Sequence, residues 1–208
     1  MFRDRLDAAR QLARRLDHVR GHRPLVLAIP RGAVPMGAEL ARLLDGELDV
    51  VLVRKLRAPW QPELAIGAVD ETGWTWVPEE PAGLALPPSY LQEETRRQLA
   101  TIRERRRRYT PIRAPVDLAG RVVVVVDDGL ATGATMVAAL HALRQRQPAP
   151  ARIICAVPVA SREALALVTP MADEVVCLLR PADFSAVGQF YRDFDQVEDG
   201  EVERVLQG

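Results

Sequence analysis

Five consecutive valines, Val122–Val126, run directly into Asp127-Asp128-Gly129-Leu130-Ala131-Thr132-Gly133-Ala134-Thr135, and an apolar helix face follows from Met136. No other stretch narrows the possible folds as far. An uninterrupted β-branched run suits a strand buried on both faces, as in the middle of a parallel sheet. The loop after it then lies at the carboxyl end of that strand, where open α/β sheets bind ligands. Gly129, Ala131, Gly133 and Ala134 keep side chains small there, so backbone N–H groups can close on an anion. The following helix points its positive end at the same place. Thr132 and Thr135 add hydroxyl donors. Asp127 and Asp128 are placed to accept from two vicinal hydroxyls, as a ribose presents. One loop, Gly129–Thr135 with the two acids before it, can thus hold phosphate and sugar together. It is not a P-loop, because Ala134 stands where the lysine of GxxxxGK[ST] belongs. It is not a dinucleotide fingerprint either, because Gly129 and Gly133 have the wrong spacing.

The flanking sequence alternates strand and helix. Phe2–Arg20 places Phe2, Leu6, Ala9, Leu12, Leu16 and Val19 at helical spacing and ends at Gly21. Leu25–Ile29 reads as a buried strand leading into Pro30-Arg31-Gly32-Ala33 and a helix over Pro35–Leu44. Asp49–Val53 reads as a second strand that delivers Arg54-Lys55 at its end. Beyond the valine strand come a helix over Thr132–Gln145, a strand over Ile153–Val157, a helix over Ser161–Val168 and a strand over Glu174–Leu178. This alternation predicts an α/β fold whose central sheet is mainly parallel and flanked by helices. The chain is expected to form a single domain over residues 1–208.

The middle breaks the alternation. Leu56–Pro88 carries Pro59, Pro62, Pro78, Pro81, Pro87 and Pro88. Two alternating runs, Ala65–Val69 and Trp74–Val77, are joined by Asp70-Glu71-Thr72-Gly73 as a hairpin. A long charged helix over Tyr90–Arg108 follows, capped by Ser89. We read 56–108 as an excursion from the domain. The cluster Arg103, Arg105, Arg106, Arg107 and Arg108 at its end complements the helix dipole and is expected to be a solvated face.

Composition excludes more than it selects. The 28 basic and 28 acidic residues cancel, so no global attraction to nucleic acid or to an acidic membrane is implied. No apolar run reaches about 18 residues, so no membrane span is expected. The charged N-terminus lacks the apolar stretch of a signal peptide, which makes the cytoplasm the expected compartment. Cys155 and Cys177 sit in apolar runs and read as buried thiols rather than a disulfide framework. Lys55 is the only lysine among the 28 basic residues. Arginine has replaced the rest, which points to a position that wants a compact ammonium.

Val123–Thr135 resembles the motif with which type I phosphoribosyltransferases bind 5-phosphoribosyl 1-pyrophosphate (PRPP). Pro62-Glu63-Leu64-Ala65-Ile66-Gly67-Ala68 also resembles a stretch of uncharacterised bacterial phosphoribosyltransferase-like proteins. The resemblance implies that fold, with a flexible-loop excursion over 56–108 and a small hood over 180–208. It implies that Thr132–Thr135 anchor the 5-phosphate. Asp127 and Asp128 would hold the ribose hydroxyls and, directly or through water, help place Mg²⁺. The loop after the first strand holds pyrophosphate in that superfamily, which assigns Arg31 and Gly32 to it, and Lys55 would join them at the same sheet edge. A lid over the site would keep water from the sugar. Trp60, Glu63, Glu71 and Trp74 are candidates for it. Phe184, Phe190, Tyr191 and Phe194, in the aromatic C-terminal segment, are candidates for stacking on a base or for packing the hood against the sheet.

The implied activity is Mg²⁺-dependent transfer of phosphoribose from PRPP to a small-molecule base or amine, by a protein expected to form a homodimer. Two residues depart from the family pattern, and the second weakens a hypoxanthine or guanine assignment. Gly129 replaces an aliphatic residue usual in the family, and Ala131 stands where hypoxanthine-guanine enzymes carry aspartate. Two other readings remain open: a regulator sensing PRPP or a nucleotide, with the arginine cluster on nucleic acid, and a related hydrolase or phosphorylase.

Overall fold

The computed structural model describes residues 1–61, 64–78 and 86–208. Five strands make its central sheet: β1 (Leu25–Ala28), β2 (Glu47–Val50), β6 (Val122–Val126), β7 (Arg152–Val159) and β8 (Glu174–Leu179). They are all parallel, in the order β2-β1-β6-β7-β8. The valine strand lies in the middle, as expected, with Val126 in register with Ala28 of β1 and Ala156 of β7. After β1 the chain moves to one side of the sheet, and after β6 to the other. The carboxyl ends of β1 and β6 therefore flank the point where the winding reverses, and such a point opens a crevice.

Each face of this sheet has its own core. Val26, Ala28, Val124, Val126, Ile154 and Ala156 face α1 (Arg5–Arg15) and α2 (Ala33–Leu43). The alternate residues Leu25, Leu27, Val123, Val125, Ile153 and Cys155 face α4 (Ala134–Arg144) and α5 (Arg162–Val168). A second, antiparallel sheet of β3 (Val53–Arg57), β4 (Ala65–Asp70) and β5 (Thr75–Trp76) packs between α4 and α3 (Pro88–Tyr109). The chain closes with α6 (Asp199–Gln207), which packs on α2 and α3.

Three local expectations change. The first helix starts at Arg5, because the Asp4 carboxylate accepts the Asp7 amide at 2.7 Å and caps it there. Phe2 is not on that helix: its N–H donates to the Phe190 carbonyl at 2.8 Å and its carbonyl accepts from Arg192 at 2.9 Å. The apolar run expected as one strand over Asp49–Val53 divides instead. Residues up to Val50 stay in the parallel sheet, while β3 begins at Val53 in the other sheet, so Arg54 and Lys55 lie within a strand. A continuous apolar run carries no mark of where a strand leaves its sheet. Finally, α3 opens on Pro88 with no side-chain cap, rather than behind Ser89. The expected hairpin is present, and Asp70 Oδ1 builds its turn by accepting from the Thr72 amide and hydroxyl and the Trp74 amide. Pro62, Glu63 and Pro81 lie outside the described residues. Among the described residues, no helix is long and apolar enough to cross a membrane.

Helix α2 reaches the sheet through Gly37. A Cβ there would lie 2.9 Å from the Ala28 Cβ and 3.0 Å from the Leu48 Cδ1. Gly37→Ala should gain about 1 kcal/mol of helix propensity but lose about 1–3 kcal/mol to overpacking against a rigid strand. The variant is expected to be net destabilised in chemical denaturation; a stabilised variant would show that α2 can lift freely from the sheet.

Candidate functional site

A cavity of about 630 Å³ opens at the carboxyl ends of β1 and β6. Four walls surround it. The first is the loop after β6. Gly133, at φ +77°, turns the chain into α4, and its backbone packs against Ala164, so neither its conformation nor its neighbour favours a side chain. The outer edge of the loop is anchored. Leu130 donates its N–H to the Val159 carbonyl at 2.9 Å, and Ser161 Oγ donates to the Ala131 carbonyl at 2.7 Å. Leu130 itself is buried core, and Ala134 is buried at the start of α4 and off the cavity wall. Thr132, Gly133 and Thr135 line the cavity at the positive end of α4.

The second wall is the acid pair. Asp127 Oδ1 accepts the Asp128 amide at 2.9 Å, and the Thr135 hydroxyl is 3.5 Å from its other oxygen. Asp128 is tied on every side. Arg5 donates to its Oδ2 through Nε at 3.1 Å and Nη2 at 3.0 Å, and the Tyr191 hydroxyl donates to its carbonyl at 2.6 Å. Gly32 passes so close that a Cβ there would collide with Asp128 Oδ2. Burial, and then the charge of Asp128, holds the Asp127 carboxyl well above the ordinary carboxylate range. Burial raises Asp128 too, while Arg5 acts in the opposite direction.

The third wall is cationic. Arg31, Arg54, Lys55 and Arg57 line it. Arg31 follows the Pro30–Arg31 peptide, which is cis, and pairs with Glu198 at 3.3 Å and Asp199 at 3.5 Å. Asp199 also accepts from Tyr109 at 3.1 Å and faces Arg105 at 3.6 Å and Arg108 at 3.7 Å. Arg54 makes no ion pair among the described residues. Its Nε donates to Gln98 Oε1 at 3.0 Å, and Gln98 is held in turn by the buried Glu94. Burial, then repulsion from Arg105, Arg57 and Arg31, lowers the Arg54 pKa to about 10. A half-buried guanidinium without a carboxylate partner among the described residues, open to a cavity, has the chemistry to take an anion. The fourth wall is the hood, residues 185–188 and 194–197.

The structure therefore brings Arg31, Gly32, Lys55, Asp127–Gly133 and Thr135 together around one cavity. The hood aromatics are elsewhere. Phe184 and Phe190 pack on each other at 5.4 Å, and Tyr191 is buried; Phe194 is the hood aromatic on the wall. Of the lid candidates, Trp60 is exposed, Glu71 pairs with Arg106, and Trp74 stacks on His141 at 3.5 Å. Glu63 lies outside the described residues. The arginine cluster is only in part the solvated face expected of it: Arg103, Arg107 and Arg108 are exposed. Arg105, Arg106 and Arg108 are tied to Asp199, Glu71 and Glu203, and only Arg103 and Arg107 are exposed without such ties among the described residues. Sequence reading missed Arg5, Arg54 and Arg57. Arg54 had a signal beside Lys55, whereas Arg5 lies 123 positions from the acid it grips and had none.

Residues 3–195 match the phosphoribosyl transferase domain family. Two Mycobacterium tuberculosis proteins, named "Putative phosphoribosyl transferase Rv0571c" and "Putative phosphoribosyl transferase MT0597", are each 43% identical over 203 residues. The match covers 97% of this chain and 45% of theirs, so the chain spans a little under half the length of these relatives. The crystal structure of TT1426 from Thermus thermophilus is 47% identical, with a TM-score of 0.81 over 99% of this chain and 97% of that one.

The acid pair has a consequence for stability. A carboxyl whose folded value is raised is neutral without penalty at low pH and disfavours the fold increasingly as pH rises past its unfolded value near 3.8. Asp127→Asn should therefore raise the Tm of the unliganded protein, by more at pH 8 than at pH 5. A gain that does not change with pH in thermal melts would contradict the buried-acid arrangement.

Proposed function

The chain belongs to the phosphoribosyl transferase domain family, and from that premise we propose that it transfers phosphoribose from PRPP to a nitrogenous acceptor, releasing pyrophosphate. One observation carries this reading: the small-residue loop before α4, the acid pair Asp127 and Asp128, and the cations Arg31, Arg54, Lys55 and Arg57 all line one cavity. PRPP has the same layout, with a 5-phosphate, a diol-bearing ribose and a pyrophosphate.

In this reading the amides and hydroxyls of Thr132–Thr135 take the 5-phosphate at the start of α4. Asp127 accepts from a ribose hydroxyl, and Asp128, held by Arg5, presents its carboxylate beside it. Arg31, Arg54 and Lys55 meet the pyrophosphate. They oppose the negative charge that gathers on it as the bond to the sugar breaks, and such preorganised donors contribute about 3–4 kcal/mol each to a transition state. Arg31 must share its charge with Glu198 and Asp199, which leaves Arg54, Lys55 and Arg57 as the cations of that wall without an ion pair among the described residues.

The residues also fit an Mg²⁺ ion of a particular kind. Among the described residues no group of three or more His, Cys, Asp or Glu side chains converges, so the chain offers no cage of its own. Asp127 and Asp128 together with phosphate and ribose oxygens would form the mixed set that Mg²⁺ prefers. When bound, the ion supplies further neutralisation of the leaving pyrophosphate.

The test is calorimetric PRPP binding in Mg²⁺ together with pyrophosphate release. Arg54→Ala and Lys55→Ala should each weaken PRPP binding by about 10- to 100-fold, the loss of one charged hydrogen bond. Wild-type affinity in both variants would sink these assignments. Tight PRPP binding with no pyrophosphate released by any acceptor would favour a regulator that senses PRPP.

A further inference from the structure

The acceptor has to approach the sugar on the side away from the departing pyrophosphate. With three walls given to phosphate, ribose and pyrophosphate, that leaves the hood. Its surface is poorly made for a planar base. Phe184 and Phe190 are spent on each other and do not line the cavity. Tyr191 is buried with its hydroxyl on the Asp128 carbonyl. Phe194 does line it, but the Arg5 guanidinium lies over its ring at 4.0 Å, Tyr191 stacks on it at 4.8 Å, and Gly188 packs against its edge.

The space between hood and loop is also taken. A Cβ at Gly129 would lie 2.6 Å from Val187 Cγ1 and 2.9 Å from Val187 Cγ2. Val187 therefore rests directly on the Gly129 backbone, and a ring cannot slide between them. What the hood does offer is polar and small: Ser185, Asp195 and Gln196, all exposed at the cavity mouth.

Resting on the transferase reading above, we infer that the acceptor is a small aliphatic amine or ammonia, not a nucleobase, and that Val187 is the residue that sets this limit. The amine is drawn in by the Asp195 carboxylate and the Gln196 amide oxygen. Its nitrogen lone pair forms the new bond to C1 of the ribose as the C1–oxygen bond to pyrophosphate breaks. The bonding pair leaves on pyrophosphate, and the nitrogen gives up its surplus proton to solvent. No redox partner is needed.

The experiment measures pyrophosphate release from PRPP and Mg²⁺ with two acceptor panels. One contains ammonium, methylamine, ethanolamine and glycine; the other contains adenine, guanine, hypoxanthine, xanthine, uracil and orotate. The wild type is expected to turn over at least one amine and to show no base above the acceptor-free rate. Val187→Ala, checked for folding by thermal denaturation, should bind bases at least tenfold more tightly than the wild type in equilibrium titrations with pyrophosphate and Mg²⁺ present. Release with a base and with no amine would overturn the acceptor class while leaving the transferase reading intact. Unchanged base binding in Val187→Ala would overturn the role of Val187. PRPP binding with no release from either panel would overturn the transferase reading and this inference with it.

Discussion

Asp128 holds the cavity together. Four parts of the chain meet on it: Arg5 from α1, Gly32 from the loop after β1, Tyr191 from the hood and Asp127 beside it. Each contact restricts the others. The guanidinium of Arg5 also donates to the Asp195 carbonyl at 2.7 Å, so the residue that steadies the acid also sets the hood above it. The bridge of Phe2 to residues 190–192 ties the start of the chain to the same place. A site built this way is assembled only once the whole fold is formed, because its contacts join segments far apart in sequence.

The charges of the cavity follow one logic. Burial and like-charge neighbours shift some of them from their ordinary values. Asp127 is raised by burial and by its neighbour, and Arg54 is lowered by burial and by neighbouring arginines. In the reading proposed above, a hydroxyl meeting Asp127 and an anion meeting Arg54 would each offset a cost of burial. Function and stability pull in opposite directions here, as they commonly do at binding sites. The exception is Arg31, which already has anions beside it in Glu198 and Asp199. Asp199 in turn gathers Arg105, Arg108 and Tyr109 from α3, which couples the long helix to the cationic wall.

Much of this was legible from the residues, and for identifiable reasons. The parallel sheet and the loop after β6 are local: a run of valines, two acids and a small-residue turn state their conformation within the single stretch Val122–Thr135. The place of Lys55 on the cavity wall was suggested by its standing alone among arginines. The contacts that shape the site were not legible, because they are made across sequence. Nothing near Arg5 marks it as the partner of Asp128, and nothing near Val187 says that it will rest on Gly129. Of the aromatic hood candidates only Phe194 lines the cavity, for a related reason. Composition identified rings suited to stacking, but packing used Phe184, Phe190 and Tyr191 against neighbouring protein groups.

The central claim is that the cavity has two anion-binding ends separated by an acid pair, and a crystal structure with PRPP and Mg²⁺ tests it most directly. The 5-phosphate should lie on the amides of residues 132–135, the ribose hydroxyls against Asp127 and Asp128, and the pyrophosphate between Arg31, Arg54 and Lys55. A ligand bound the other way round, or bound outside this cavity, would contradict the account.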